Sequence, residues 1–141
     1  MPYSWQTPVY DRTNTSKYNA SDTNRVDNNT RYLEEYMESN IGYTVDLDTY
    51  STATVSTLPT VDTINTLESN INAIRDALGY DPLDWNTLYE DWTAVTNDRF
   101  LYTDANNLEE NQAILKLNFE QIEDGFRECG RFNAGSKMTK L

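Results

Sequence analysis

The chain has 141 residues, 24% of them charged and 38% apolar, with a formal net charge of −12 and a mean hydropathy of −0.75. That size fits one domain with a thin core, and the Leu, Ile, Val and Tyr residues are too regularly spaced for a wholly disordered chain. There is no His and only one Cys, Cys129, which removes the usual general base, any internal disulfide and any zinc site built on cysteines.

The charge is unevenly placed. Residues 1–19 carry Arg12 and Lys17 against Asp11, and residues 127–141 carry four cations against Glu128, so 20–126 hold 5 − 21 = −16. A body this acidic repels phosphate backbones, so no nucleic-acid partner is expected. The basic end is open to two readings, a segment that docks on an acidic neighbour or a solvated tail. The start, Met1-Pro2-Tyr3-Ser4-Trp5, lacks the features of a signal peptide, and no apolar run is long enough to span a membrane.

In chain order, residues 1–18 hold Trp5, Tyr10 and two prolines without periodicity. They are expected to form an extended arm ordered against neighbouring subunits. A first helix is expected near 20–39, starting at Asn19-Ala20-Ser21-Asp22, using Val26, Leu33, Tyr36 and Met37, and ending before Gly42. Its apolar stripe is the weakest, because Asn29 and Thr30 interrupt it. A second, near 60–78, starts at Pro59-Thr60 and stops at Gly79. Its Val61, Ile64, Leu67, Ile71, Ile74 and Leu78 form one stripe. A third, near 104–128, runs through Ala105, Leu108, Leu115, Phe119, Ile122 and Phe126. Residues 131–141 are small, polar and basic, and are expected as a flexible C-terminal arm.

The three helices share a pattern: Asn, any residue, apolar, acidic, any residue, Asn, and an apolar residue four places on. It begins at Asn24, Asn65 and Asn106, so every equivalent position recurs at 41 residues, twice. Val26, Leu67 and Leu108 are its apolar members, and Asn29, Asn70 and Asn111 its second amides. Helical spacing puts each of these amides on the apolar face. Such an amide either fixes helix packing, within the chain or between copies, or sits at the stripe's edge, hydrated or bonded to a loop carbonyl.

The connections, about 40–59 and 80–102, are long for a bundle, where roughly 2–8 residues are usual. Residues 43–48 alternate in the manner of a short strand. Trp85 and Trp92 lie in the second connection; aromatics of this kind either tuck under the loop or anchor an interface. No catalytic constellation assembles: there is no Ser-His-Asp or Cys-His set and no Gly-rich phosphate loop, and Asp46 and Asp48 lack the spacing of a calcium loop. No enzyme activity, cofactor or metal is expected.

The first copy, Asn19-Ala20-Ser21-Asp22-Thr23-Asn24-Arg25-Val26-Asp27-Asn28-Asn29-Thr30-Arg31-Tyr32-Leu33, resembles a segment of tail and baseplate proteins of phages that infect Gram-positive bacteria. Trp5-Gln6-Thr7-Pro8-Val9-Tyr10-Asp11-Arg12-Thr13 looks like the lead-in of such proteins. The run from Phe100 to Glu109 is similar to the version found further along them. Thr23 stands where the family has a large apolar residue. The resemblance implies a non-enzymatic connector in a virion tail (tail tip, baseplate or fibre adaptor), made in the host cytoplasm. It would be present as a multi-copy homo-oligomer bound to other tail proteins, and no catalytic residues travel with the motif.

The combined expectation is an all-α chain. An N-terminal arm (1–18) precedes a three-helix repeat domain (19–130) with long loops, and a basic tail (131–141) follows. Interface candidates are Asn29, Asn70, Asn111, Val26, Leu67, Leu108, Trp5, Tyr10, Trp85 and Trp92. A competing function is that of a small acidic inhibitor that mimics nucleic acid, which the charge favours and the 41-residue period does not.

Overall fold

The structure, a computed structural model, describes residues 3–16, 18–50, 60–90, 92 and 102–136, with side chains through 125. It is all-α: α1 (Ala20–Tyr36), α2 (Val61–Leu78) and α3 (Tyr102–Ser136), joined by loops.

Local chemistry sets the helix ends. Asn19 caps α1, its Oδ1 accepting from the N–H groups of Ser21 and Asp22 while the Asp22 carboxylate accepts from the Asn19 N–H. At its far end α1 widens into one π-helical turn, Met37–Ile41, closed by the Gly42 N–H on the Met37 carbonyl (2.8 Å). Thr60 caps α2 through the Thr63 N–H. Gly42 (φ 94°) and Gly79 (φ 83°) end their helices in left-handed backbone, where a side chain would be strained. Gly125 and Gly130 instead stay helical, so α3 runs eight residues past the expected end at 128. A glycine inside a helix costs only about 1 kcal/mol relative to Ala and is no stop by itself. The helix thereby occupies part of the stretch expected as a flexible tail; residues 137–141 lie outside the described residues.

The helices run parallel, as the hydrogen bonds show. Between α1 and α3, Arg25 meets Glu109, the Thr30 Oγ1 accepts from Gln112, and Tyr36 meets Glu123, so both sequences advance together. Between α1 and α2 the chain must return: Asp48 lies beside Arg31, and Tyr50 reaches Asn24 near the start of α1. The next connection descends along α2 in the same way, Leu88, Glu90 and Trp92 meeting Asn72, Glu68 and Asn65. Parallel neighbours cannot be joined by tight turns, which accounts for the length of both loops.

Val26, Leu33, Met37, Leu67, Ile71, Ile74, Leu108, Leu115 and Phe119 are fully buried in one cluster. Thr30 is buried too: its Oγ1 donates to the Val26 carbonyl (2.8 Å) and accepts from the Gln112 amide (2.8 Å). The interruption of the first stripe is therefore a polar plug between α1 and α3. Thr23, also buried, donates its hydroxyl to the Asn19 carbonyl.

One expectation is corrected. The alternating stretch 43–48 pairs with no strand, and there is none among the described residues; at Asp48 the backbone bonds to helix side chains instead. The N-terminal arm packs on its own chain: Trp5 packs on Tyr32 (centroids 5.4 Å apart), and Arg12 is buried against α3. Leu67→Ala and Leu108→Ala should each destabilise the chain by about 2–5 kcal/mol, the range for truncating a buried Leu. Chemical denaturation followed by circular dichroism measures this, and a loss below about 1 kcal/mol would place either residue outside the core.

Candidate functional site

An extended segment laid along a helix bundle has backbone N–H and C=O groups with no ladder to enter, and these must find partners. Here asparagine side chains supply them. The Asn29 Oδ1 accepts from the Gln6 N–H (2.9 Å), and its Nδ2 donates to the Gln6 carbonyl (2.8 Å). Asn70 holds Asp48 in the same way (2.7 and 3.1 Å), and Asn111 holds Asn86 (2.9 and 2.8 Å). A carboxamide has the donor and acceptor of a peptide unit, so each pair closes the two-bond ring of an antiparallel strand pair. All three amides are buried.

The first asparagine of the motif works on the neighbouring groove. Asn65 clamps both backbone groups of Trp92 (2.8 and 2.9 Å), and Asn106 those of Arg12 (3.1 and 3.2 Å). Asn24 accepts the Tyr50 hydroxyl (2.7 Å). Each segment is thus gripped from two helices: residues 3–16 by α1 and α3, 43–50 by α2 and α1, and 85–90 with Trp92 by α3 and α2.

The acidic motif position adds charge to the grip. Glu109 is fully buried; it accepts from the Val9 N–H (3.1 Å), from Arg25 (2.6 and 2.8 Å) and from the Arg12 guanidinium. Asp22 joins both arginines, so the four charges sum to zero. Burial opposes ionisation of Asp22, but the Asn19 N–H and the Arg25 and Arg12 guanidiniums outweigh it and hold its carboxyl below the usual range. The Arg25 guanidinium is held still more firmly in its charged form, chiefly by its hydrogen bond to Glu109. On α2 the counterpart, Glu68, accepts from the Glu90 N–H (2.9 Å) and the Trp92 indole N–H (2.8 Å). No cation reaches it among its described hydrogen-bond partners; burial pushes its carboxyl up, and the two donors only partly offset this.

The candidates from sequence therefore separate. Val26, Leu67 and Leu108 meet in the core, while Asn29, Asn70 and Asn111 stay apart, one per groove. Trp5, Trp85 and Trp92 are half-buried against the core edge, with the Arg75 guanidinium 5.4 Å over the Trp85 ring. Tyr10 is 45% exposed. Among the described residues no three His, Cys, Asp or Glu side chains are grouped to hold a metal ion.

The ion network and the gripped residues were missed, although a signal existed. Trp5-Gln6-Thr7, Leu47-Asp48-Thr49 and Trp85-Asn86-Thr87 share a large apolar residue, a variable one and Thr, and the middle residue is the clamped one each time. Their spacings are 42 and 38 residues (Gln6 to Asp48, Asp48 to Asn86), so a search at one fixed period passes over them.

Compared with known proteins, the chain matches no family model, no curated protein and no solved structure.

Two outcomes follow from this geometry. Replacing Asn29, Asn70 or Asn111 by Leu strands one N–H and one C=O, so each variant should lose about 1–3 kcal/mol in urea unfolding despite its greater apolarity. Unchanged stability would mean that water satisfies the segment equally well. Glu68→Gln keeps an oxygen that can accept both bonds and removes a buried charge. A carboxyl whose folded pKa is raised gives stability that is present below its unfolded value and lost as pH rises through the folded one. That loss grows as pH rises above the folded value, so Glu68→Gln should gain on wild type in melting temperature as pH is raised. The gain should shrink as pH falls through the raised folded value and be gone below 4.5, the ordinary value. Asp22 acts with the opposite sign, its contribution disappearing as pH falls below 3.8.

Proposed function

We propose that the chain is a non-enzymatic structural component of a bacteriophage tail, a tail-tip, baseplate or fibre adaptor that connects virion proteins. We propose further that it is built from one 41-residue unit used three times, an extended segment followed by the helix that grips it. The observation that carries this is the threefold recurrence of the amide clamp at Asn29, Asn70 and Asn111. A unit of this kind buries little by itself, because its segment is completed by the neighbouring helix. Its sequence signature is also what resembles tail and baseplate proteins. The absence of any His supports a non-catalytic role.

The competing reading, an acidic mimic of nucleic acid, draws on the net charge of −12. Part of that charge is not displayed: Glu68 and Glu109 are 1% and 0% exposed, and Asp22 is paired with two arginines. Mass spectrometry of purified particles separates the two. The connector reading expects the chain as a stoichiometric particle component; its presence only in infected-cell lysate would remove that reading and favour the mimic.

A further inference from the structure

The outer face of α3 is left open between the two segments that flank it. Trp5, Pro8, Val9 and Tyr10 form one wall, Trp85 and Asn86 the other, and Ala113, Ile114 and Leu117 the floor. Leu117 is 55% exposed and Tyr10 45%. The opening has a specific cause. On α1 and α2 the residues 82 and 41 places before Ala113 are Arg31 and Asn72. Each reaches across to the segment beside it: Arg31 to the Asp48 carbonyl (2.6 Å) and Asn72 to the Leu88 carbonyl (3.2 Å). Ala113 has no such arm, so the trough on α3 lacks the polar side chain that crosses at the other two places.

Its rim selects the charge of whatever enters. Asp11, Asp84, Glu110 and Glu120 line the trough. Lys116, the cation among the lining residues, is paired with Glu120 (2.9 Å) and lies 5.5 Å over the Trp5 ring. An apolar floor with an acidic rim fits a helix or segment bearing guanidinium or ammonium groups on apolar stems.

The chain itself carries such a segment. Residues 127–141 have Arg127, Arg131, Lys137 and Lys140 against Glu128, 4 − 1 = +3, while the rest of the chain is at −15. Because α3 is continuous to Ser136, at 1.5 Å per residue Arg131 lies roughly 16 Å along the axis beyond Glu120. A continuous helix cannot fold back onto its own flank, so this basic end leads away from the trough of its own copy.

We propose that the trough on α3 receives the basic C-terminal end of α3 from a second copy, joining copies head to tail. The contact is heterologous, with different surfaces meeting, and so propagates into a ring or an open chain of subunits. It rests on the reading of the protein as an assembly component and names its first partner as itself.

Sedimentation velocity on the full chain tests this. At low salt and up to about 100 μM, where a contact with a Kd of ~10 μM is well populated, self-association is expected. It should weaken as salt is raised. Ala113→Arg, which fills the trough with the missing arm, should weaken it by at least about tenfold, with circular dichroism reporting an intact fold. Two charge reversals then check the pairing. Asp11→Lys with Glu120→Lys gives copies basic at both surfaces, and Arg127→Glu with Arg131→Glu gives copies acidic at both. Each variant alone should sediment as a monomer, and an equimolar mixture should associate again. A monomeric wild type overturns the contact and leaves the trough to a basic segment of another protein. Association unchanged by Ala113→Arg, or variants that associate alone, overturns it as well. Particle composition is a separate measurement, so failure here does not remove the tail reading, and absence from particles does not remove the contact.

Discussion

Three parallel helices in a single chain impose one requirement on everything else: the chain must travel back the full length of the bundle before each new helix begins. A returning segment has no ladder to join, and leaving its peptide groups unpaired against a helix surface would cost about 1–3 kcal/mol for each buried group. The amide clamps meet that requirement. Asn29, Asn70 and Asn111 each bond both backbone groups of one segment residue, and Asn65 and Asn106 do the same from the neighbouring helix. The described parts of the long connections are thereby structural elements that close the grooves between helices.

The same requirement explains where charge is buried. The segment 3–16 turns inward at Arg12, and the cost of desolvating that guanidinium is offset by Glu109, Asp22 and the Val9 carbonyl. Arg25 completes the set from α1, so the N-terminal segment, α1 and α3 are tied at one neutral centre. Removing a single member would leave the others buried and unmatched, which makes the centre intolerant of change. The groove beside α2 has a cheaper solution, a carboxylate satisfied by a backbone N–H and an indole N–H, and there burial works against the charge.

A fold completed this way leaves the outer face of α3 open between two clamped segments. The walls of the trough on α3 are the clamped segments themselves, so its shape is as fixed as the clamps that hold Gln6 and Asn86. Under the proposed self-contact, the acidic recess and the basic C-terminal end of the chain would be complementary surfaces that one copy cannot join internally.

The sequence by itself determined the three helices, the caps of α1 and α2 and the buried faces, but not the far end of α3, which runs to Ser136. An apolar stripe at 3.6-residue period has one way to be buried, and Asn19, Thr60, Gly42 and Gly79 act through atoms a few residues away. Of the apolar positions read from the stripes, Val26, Leu33, Met37, Leu67, Ile71, Ile74, Leu108, Leu115 and Phe119 are fully buried. The amides at Asn29, Asn70 and Asn111 were legible as out of place on an apolar face, but their partners were not. Gln6 and Asn29 are 23 residues apart, Arg12 and Glu109 are 97 apart, and such pairings leave no periodic trace because loop length is free to vary. Only the tertiary structure decided that the N-terminal segment docks on its own helices and that 43–48 meets side chains rather than a strand. A helix is set by interactions between near neighbours, whereas the course of a returning loop is set by whichever groups elsewhere are left to be satisfied.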